Sequence, residues 1–220
     1  MLTLKSLIQI RHPLRFAAAV AASALLIAGI AFATYRISQR MGLAELQNIG
    51  RHRLDLYAAS LEREIVKYAY FPSTLGLEQS VLQLLTTPND PHLVAKVNSF
   101  LEQVNERAGT LSIYVMDNKG HVHASSNWRR SDSFIGEDLS FRSYFRDAME
   151  TGSGRFFGIG TTRSEPGYYL SSAVDSKNRT LGVAIVKVSL EQLEKSWTTV
   201  ETPVLVSHEN GVVLLASVPD

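Results

Sequence analysis

The 220-residue sequence contains no cysteine, so it forms no disulfide and offers no thiolate as a nucleophile or metal ligand. It also lacks a dominant charge, because 22 Lys and Arg residues against 21 Asp and Glu residues leave a formal net charge of +1. Nucleic-acid binding requires a basic surface, which this balance does not supply, and no DNA- or RNA-binding motif is present. These absences exclude a disulfide scaffold, a thiol enzyme and a nucleic-acid-binding protein.

Motifs for catalysis and cofactor binding are absent as well. The sequence has no Ser/His/Asp ordering, no paired catalytic carboxylates, no phosphate-accepting histidine box and no ATP-binding motif. Gly152, Gly154 and Gly158 do not form a dinucleotide fingerprint, which needs a strand–helix context. His121 and His123 share one strand face, but without a third ligand they are better interpreted as surface residues than as a metal site. We therefore expect no catalytic domain, cofactor or metal.

One long uncharged run lies near the N-terminus, at residues 16–35 (FAAAVAASALLIAGIAFATY). As a helix rising about 1.5 Å per residue it is ~30 Å long, which matches the hydrocarbon core of a bilayer. We predict a membrane anchor preceded by a cytoplasmic tail, residues 1–15, which is basic and has no acidic residue. Two alternatives stay open, a signal peptide cleaved after Ala33 and a buried core helix. An anchor or a signal peptide places the remainder outside the cytoplasm.

Apolar spacing predicts a series of helices after the membrane segment. Residues 36–71 form a long helix, and its apolar stripe suits packing on its own domain or on a second subunit. Shorter helices follow at 77–85 and 93–107, the second ended by Gly109. A further helix begins at Ser140 as its N-cap. The stripe of the long helix consists of Leu54, Tyr57, Leu61, Ile65 and Tyr68.

The apolar period changes from helical to alternating in the second half of the chain. Residues 111–116 and 121–126 flank an Asp-Asn-Lys-Gly turn and form a β-hairpin. Three more strands are predicted at 154–162, 167–174 and 181–188. The sequence therefore indicates an α+β module with an antiparallel sheet and flanking helices.

An internal similarity indicates a duplicated module. Residues 114–126 (YVMDNKGHVHASS) align with residues 205–217 (LVSHENGVVLLAS), 91 positions further on. We predict that residues 72–190 are one complete module and that residues 191–220 are a connecting helix, 191–197, with the start of a second, truncated module. Chance likeness between two hairpins is the alternative.

Two groups of side chains between Ser140 and Lys187 are candidates for binding a small anion. Arg142 and Arg146 share a helix face, and the planar guanidinium fork suits a carboxylate, although Arg146 is better explained as a surface residue. Lys187 follows Leu181, Val183 and Ile185 on one strand face, where a buried ammonium requires a negative partner. The alternative is that Lys187 extends to solvent from the strand end.

Hydroxyl groups on the neighbouring strands complete the candidate site. Thr161 and Thr162 end one strand, and Tyr168 and Tyr169 lie on the next. Alternation allows only one of the two tyrosines to face inward, and we favour Tyr169 because it shares a face with Ser171. Guanidinium, ammonium and hydroxyl donors together suit a small carboxylate ligand.

Several of these segments also resemble a known family. The strand–DNKG–strand unit, FIGEDLSFRSYFRDAM, GRFFGIGTTRSEPGYYLSSAV and GVAIVKVSLEQLE resemble the extracytoplasmic sensor region of the four-carbon-dicarboxylate transport sensor histidine kinases. That region is a tandem of PAS-like modules, also called a double Cache domain, and the resemblance covers residues 36–220. One departure is Ser143, where the family pattern has proline.

The resemblance implies that the membrane-distal module binds succinate, fumarate or malate. It implies a homodimer anchored in the bacterial inner membrane with its sensor part in the periplasm. A cognate response regulator would act through a kinase domain outside these 220 residues. The alternatives are a chemoreceptor using the same input domain for another carboxylate or an amino acid, and a periplasmic enzyme or solute-binding protein. The ligand-binding residues implied here are Arg142, Tyr144, Thr161 or Thr162, Tyr169, Ser171 and Lys187.

Overall fold

The structure is a computed structural model that describes residues 5–159, 166–197, 203–207, 211 and 213–217. The chain divides into two units, Met1–Ala58 and Ala59–Asp220. A single helix, α1 (Lys5–Ala69), joins the two helices predicted for residues 16–35 and 36–71. Among the described residues, α1 is the one helix long and apolar enough to cross a membrane, judged by length and composition. The side chains of residues 15–35 are exposed, so this part of the described chain is not a buried core helix.

The second unit is an α+β assembly around a five-stranded antiparallel sheet of order β2-β1-β5-β4-β3. The helices after α1 are α2 (Phe71–Leu75), α3 (Gln79–Thr86), α4 (Pro91–Ala108), α5 (Ser143–Thr151) and α6 (Glu191–Trp197). The strands are β1 (Ser112–Asp117), β2 (Val122–Ser125), β3 (Ser153–Ile159), β4 (Pro166–Ser176), β5 (Arg179–Val188), β6 (Leu205–Ser207) and β7 (Val213–Ala216).

The two faces of the sheet carry two separate cores, as strand alternation requires. Ile113 and Val115 of β1 face the helical core, in which Leu84 of α3 and Val97 of α4 are buried. Tyr114, the residue between them, faces the opposite side together with Met116. Helix α5 covers that side with Tyr144, Phe145 and Ala148. The sheet thus separates a mainly aliphatic core from one rich in aromatic side chains.

Helix boundaries follow local capping chemistry, and several differ from the prediction. Helix α4 begins after Asp90, whose carboxylate accepts the His92 N–H at 2.9 Å, and ends as predicted at Gly109 with φ +65°. Helix α2 lies almost entirely between the predicted helices 36–71 and 77–85 and was not predicted, although Pro72 is in its first turn, where proline is favoured. The predicted N-cap Ser140 is wrong, because α5 begins only at Ser143 and its N-cap is Arg142.

Helix α5 begins at Ser143, and Arg142 is its N-cap, with extended backbone angles of φ −72° and ψ 137°. Arg142 and Arg146 therefore do not share a helix face, contrary to the prediction. The predicted inward face of β5 also needs correction at Leu181, which packs against the helical core. The register shifts there, because Val174 pairs with Gly182 and Asp175 with Thr180, which leaves Leu181 as the extra residue of β5.

The predicted similarity between two hairpins has a geometric counterpart. Val115 pairs with Ala124 in the first hairpin, and Val206 pairs with Leu215 in the second, each 91 positions later. Both hairpins have a register shift after this pair. The Ser126 hydroxyl accepts the Ile113 N–H at 2.9 Å, and the Ser217 hydroxyl accepts the Val204 N–H at 2.7 Å. This equivalence supports a duplication, and a second module continuing from it stays a prediction.

The first hairpin is stabilised at its turn by Asp117. Its carboxylate accepts the N–H of Lys119 at 2.9 Å and of His121 at 3.0 Å, and it lies 3.0 Å from the His123 ring. Burial raises the pKa of the Asp117 carboxyl, but the His123 and backbone hydrogen bonds outweigh burial and hold the pKa below its usual value. Within the described residues, no group of three or more His, Asp or Glu side chains forms a candidate metal site.

Replacing Asp117 by alanine is expected to lower the free energy of unfolding by about 1 kcal/mol at neutral pH, because hydrogen bonds to a charged acceptor are lost. The folded pKa is depressed, so this stabilisation is present above the unfolded value of about 3.9 and is lost as the pH falls through the folded value. Urea unfolding of parent and variant at about pH 7 and about pH 2.5 measures it. If the free energies of unfolding of parent and variant differed equally at both pH values, the stabilisation would not depend on the charge of Asp117, contrary to this prediction.

Candidate functional site

Four aromatic side chains form the centre of the α5-covered face, and we refer to them as the aromatic cluster: Tyr114, Tyr144, Phe156 and Tyr169. The rings of Tyr144 and Tyr169 stack with their centroids 5.1 Å apart and an interplanar angle of 4°. Phe156 is tilted against both, at 6.1 Å from Tyr144 and 6.0 Å from Tyr169. Helix α5 and strands β1, β3 and β4 thus each contribute a ring.

Lys187 reaches the aromatic cluster from β5. Its Nζ atom lies 5.5 Å from the centroid of the Tyr169 ring, and only 1% of the residue is exposed. The alternative in which Lys187 extends to solvent is therefore wrong. The aliphatic part of the side chain lies along Gly167, where an added Cβ would collide with Lys187 Cε. A glycine at position 167 leaves the space that this lysine occupies.

Arg142 approaches the same cluster from the start of α5. Its guanidinium carbon is 5.9 Å from the Phe156 centroid and 5.2 Å from the Phe141 centroid. The extended backbone of the N-cap position directs this side chain, and the residue is half-buried. Arg146 is exposed on the helix that follows. The structure therefore separates the two arginines that the sequence had placed together.

The two tyrosines of β4 face opposite sides of the sheet. Tyr169 belongs to the aromatic cluster, whereas Tyr168 packs against the helical core. Ser171 lies on the same face as Tyr169, but its hydroxyl donates to the backbone carbonyl of Tyr144 at 2.7 Å. It therefore joins α5 to β4 and holds Tyr144 in place. Thr161 and Thr162 lie outside the described residues.

Strand β1 contributes polar groups that sequence reasoning missed. The hydroxyls of Tyr114 and Tyr144 are 2.8 Å apart, and both tyrosines are about 1% exposed. Ser112, two residues before Tyr114, is buried on the same face, and its Cα pairs with that of Lys187. Alternation in 111–116 had placed these residues on one face, but nothing in the local sequence indicates their partners in α5 and β5.

Burial controls the ionisation of the tyrosine pair. It raises the pKa of Tyr114 well above the ordinary value, and the neighbouring Tyr144 raises it further. Burial also raises the pKa of Tyr144, while the hydrogen bond with Tyr114 and the charge of Arg142 act in the opposite direction. Both phenols thus keep their protons at neutral pH, and because Tyr114 donates to Tyr144, the Tyr144 proton is available beside two cationic side chains. This combination is suited to an anion with oxygen acceptors.

A cavity of about 380 Å³ lies elsewhere, beside the ends of β3, β4 and β5. Its described lining includes Phe157, Leu190, Glu191 and Glu194, and it adjoins the site at Gly167. Two carboxylates in the wall make this cavity a poor place for an anionic ligand. The aromatic cluster with Lys187 and Arg142 is therefore the candidate site.

Comparison with known proteins finds two curated relatives of similar sequence. The chain is 37% identical over 197 residues to the C4-dicarboxylate transport sensor protein DctB of Pseudomonas aeruginosa, covering 90% of this chain and 32% of that protein. It is 34% identical over 205 residues to DctB of Rhizobium meliloti, covering 91% of this chain and 32% of that protein. The chain thus spans about a third of the length of these relatives. No protein-family model matches it.

Solved structures that share the fold also include a sensor domain of a DctB protein. The sensor domain of the Vibrio cholerae histidine kinase DctB aligns with a TM-score of 0.75 at 29% identity, covering 79% of this chain and 67% of that one. The ligand-binding domain of the Pseudomonas fluorescens chemoreceptor CtaA, solved with L-alanine, aligns with a TM-score of 0.56 at 19% identity, covering 77% and 71%. The second likeness concerns the fold alone.

Proposed function

The resemblance to the sensor region of the C4-dicarboxylate transport sensor kinases is confirmed, and from it we propose that this chain binds a small dicarboxylate in the aromatic cluster. The proposal rests on the positions of two cationic side chains, each of which lies over a different ring of the aromatic cluster. Lys187 lies over Tyr169 and Arg142 lies over Phe156, and the centroids of these rings are 6.0 Å apart. Succinate, fumarate and malate each present two carboxylates to such a pair.

Each cation has a separate role in this proposal. The buried ammonium of Lys187 is stabilised by a negative charge, and one ligand carboxylate meets it on the sheet side. The guanidinium of Arg142 binds the other carboxylate on the helix side, with its planar fork directed at two oxygens. Tyr144 and Tyr169 supply hydroxyl donors, and their stacked rings line the proposed site. Ser171 holds Tyr144 in position, and Thr161 and Thr162 remain proposed contacts from the segment after β3.

Ligand binding would then be transmitted through the fold. A dicarboxylate bridging Arg142 and Lys187 draws the start of α5 towards the sheet. We propose that this closure changes the packing of α1 on a second copy of the chain in a homodimer. In this account residues 16–35 anchor the protein in the bacterial inner membrane with the sensor unit in the periplasm. In the same account a kinase domain outside these 220 residues passes the signal to a separate response regulator.

A chemoreceptor input domain for amino acids is the second candidate. It is favoured by the shared fold with the ligand-binding domain of CtaA. An amino acid has one carboxylate and one ammonium, and the ammonium requires an acceptor such as a carboxylate or a carbonyl. The site instead brings two cations to one cluster, which is the charge complement of a dicarboxylate. We therefore favour the dicarboxylate.

Calorimetric titration of the full chain in detergent micelles tests this function. Succinate, malate and fumarate are compared with acetate, L-alanine and L-valine at equal ionic strength. We expect saturable one-site binding of the dicarboxylates, weaker binding of acetate and none of the amino acids. Saturable binding of an amino acid without a dicarboxylate signal would replace the proposed ligand, and heat from neither class would reject a carboxylate sensor.

Replacing Gly167 by alanine is expected to weaken succinate binding about tenfold while changing the melting temperature little. The new Cβ would collide with Lys187 Cε, and a flexible side chain relieves this by moving its ammonium. The loss of a well-placed charged hydrogen bond corresponds to about 1.5 kcal/mol. Calorimetry and thermal melting measure the two effects.

The control for this prediction is the same change in a Lys187→Met background. If Gly167 acts through the position of the ammonium, Gly167→Ala adds no further loss of affinity there. A tenfold loss in both backgrounds would instead assign Gly167 a direct steric role.

A further inference from the structure

We infer that Tyr114 on β1 is a positioning residue of the site, which directs the hydroxyl of Tyr144 towards the ligand. This rests on the proposed function of the aromatic cluster. Tyr114 was not among the residues expected from the sequence or from the resemblance. Its role is argued from its hydrogen bond, its burial and the chemistry of a phenol pair.

The two hydroxyls form a hydrogen bond in which Tyr114 donates to Tyr144 at 2.8 Å. A phenol has one proton to donate and can accept as well. When the Tyr144 oxygen accepts from Tyr114, its own proton is directed to a different acceptor. The cations Arg142 and Lys187 border the same cluster, so an anionic ligand bound there offers that acceptor.

The hydrogen bond also makes Tyr144 a stronger donor. A hydroxyl that accepts a hydrogen bond is polarised, and chains of hydrogen bonds strengthen one another in a low-dielectric site. In agreement with this, the bond from Tyr114 lowers the pKa of Tyr144 against the raising effect of burial. Tyr114 keeps its own proton at neutral pH because burial raises its pKa.

Tyr114 is held rigidly enough to act in this way. It lies on β1, whose neighbours in the sheet are β2 and β5, and its ring is tilted against that of Phe134 with the centroids 5.1 Å apart. Tyr144 is fixed by its stack on Tyr169 and by the Ser171 hydroxyl bonded to its carbonyl. Neither ring can move far without breaking these contacts, so the two hydroxyl oxygens are held in place.

A double-mutant cycle on succinate affinity tests the inference in the full chain. We expect Tyr114→Phe to weaken binding about three- to tenfold, which corresponds to one neutral hydrogen bond. Tyr144→Phe is expected to weaken it about tenfold or more, since its hydroxyl contacts a charged ligand. The distinguishing result is that Tyr114→Phe has no further effect in the Tyr144→Phe background. Tyr168→Phe, on the other face of the same sheet, is the matched control and leaves affinity unchanged.

A residue that only packs the core would give a different pattern. Tyr114→Phe would then lower the melting temperature with an unchanged dissociation constant, or reduce affinity by the same factor in both backgrounds, and either result overturns the inference. If the parent chain did not bind succinate, the proposed function itself would be rejected. Titration of the parent alone distinguishes this outcome from a failure of the inference about Tyr114.

An incorporated 3-fluorotyrosine at position 114 provides a test that does not remove the hydroxyl. Fluorine makes the phenol a stronger donor, so we expect succinate to bind more tightly, by about twofold. Unchanged or weaker binding would overturn the inference.

Discussion

Replacing Lys187 by methionine is expected to weaken succinate binding by about 2–5 kcal/mol, a loss of at least about thirtyfold. The ammonium lies in a site that is 1% exposed, and a ligand carboxylate that meets it has given up its hydration. Methionine has a similar shape, so the variant removes the charge without leaving a large cavity. Calorimetric titration with succinate measures the effect.

A matched control separates the position of Lys187 from the mere loss of one positive charge. Lys177→Met in the exposed turn after β4 is the matched control and should bind like the parent. Parent-like affinity in Lys187→Met would reject the assignment of Lys187 to the site.

Replacing Arg142 by glutamine is expected to weaken succinate binding by about 2–3 kcal/mol, the lower part of the range for a charged pair because this residue is half-buried. The loss should be larger for dicarboxylates than for acetate, since acetate occupies only one of the two carboxylate positions. Titration of parent and variant with both ligands measures this difference.

Two further variants separate the charge of Arg142 from its geometry. Arg142→Lys keeps the charge but loses the planar fork, so it should recover only part of the affinity. Arg146→Gln, one helical turn further on an exposed face, should bind like the parent. If Arg146→Gln weakened binding as much as Arg142→Gln, the site would extend along α5 instead of facing the cluster.

The sheet and its two faces could be predicted from the sequence because alternation is a local property. The strands around Tyr169 and Lys187 were identified from that period, and the structure shows both residues on the face that α5 covers. Gly109 was identified as a helix end because many helices end in a left-handed residue, and glycine is the residue that adopts this conformation most readily. Periodicity and capping rules were sufficient for these features.

The errors and omissions concern contacts between distant segments. Serine is a favoured N-cap residue, but Ser140 lies in a turn in which its N–H donates to Asp138, and the helix starts three residues later. Tyr114 has the appearance of an ordinary core aromatic, and only the tertiary structure brings its hydroxyl to Tyr144, 30 positions away. Leu181 departs from its expected face because it is the extra residue where the register between β4 and β5 shifts. Local patterns carry no information about such pairings.

A crystal structure of the chain with bound succinate is the most direct test of the central claim. The account predicts one carboxylate at about 2.7–2.9 Å from Lys187 Nζ and the other in contact with the guanidinium of Arg142. The Tyr144 hydroxyl would donate to the ligand while still accepting from Tyr114. Succinate bound instead in the cavity lined by Glu191 and Glu194, with Lys187 and Arg142 making no contact to it, would contradict the account.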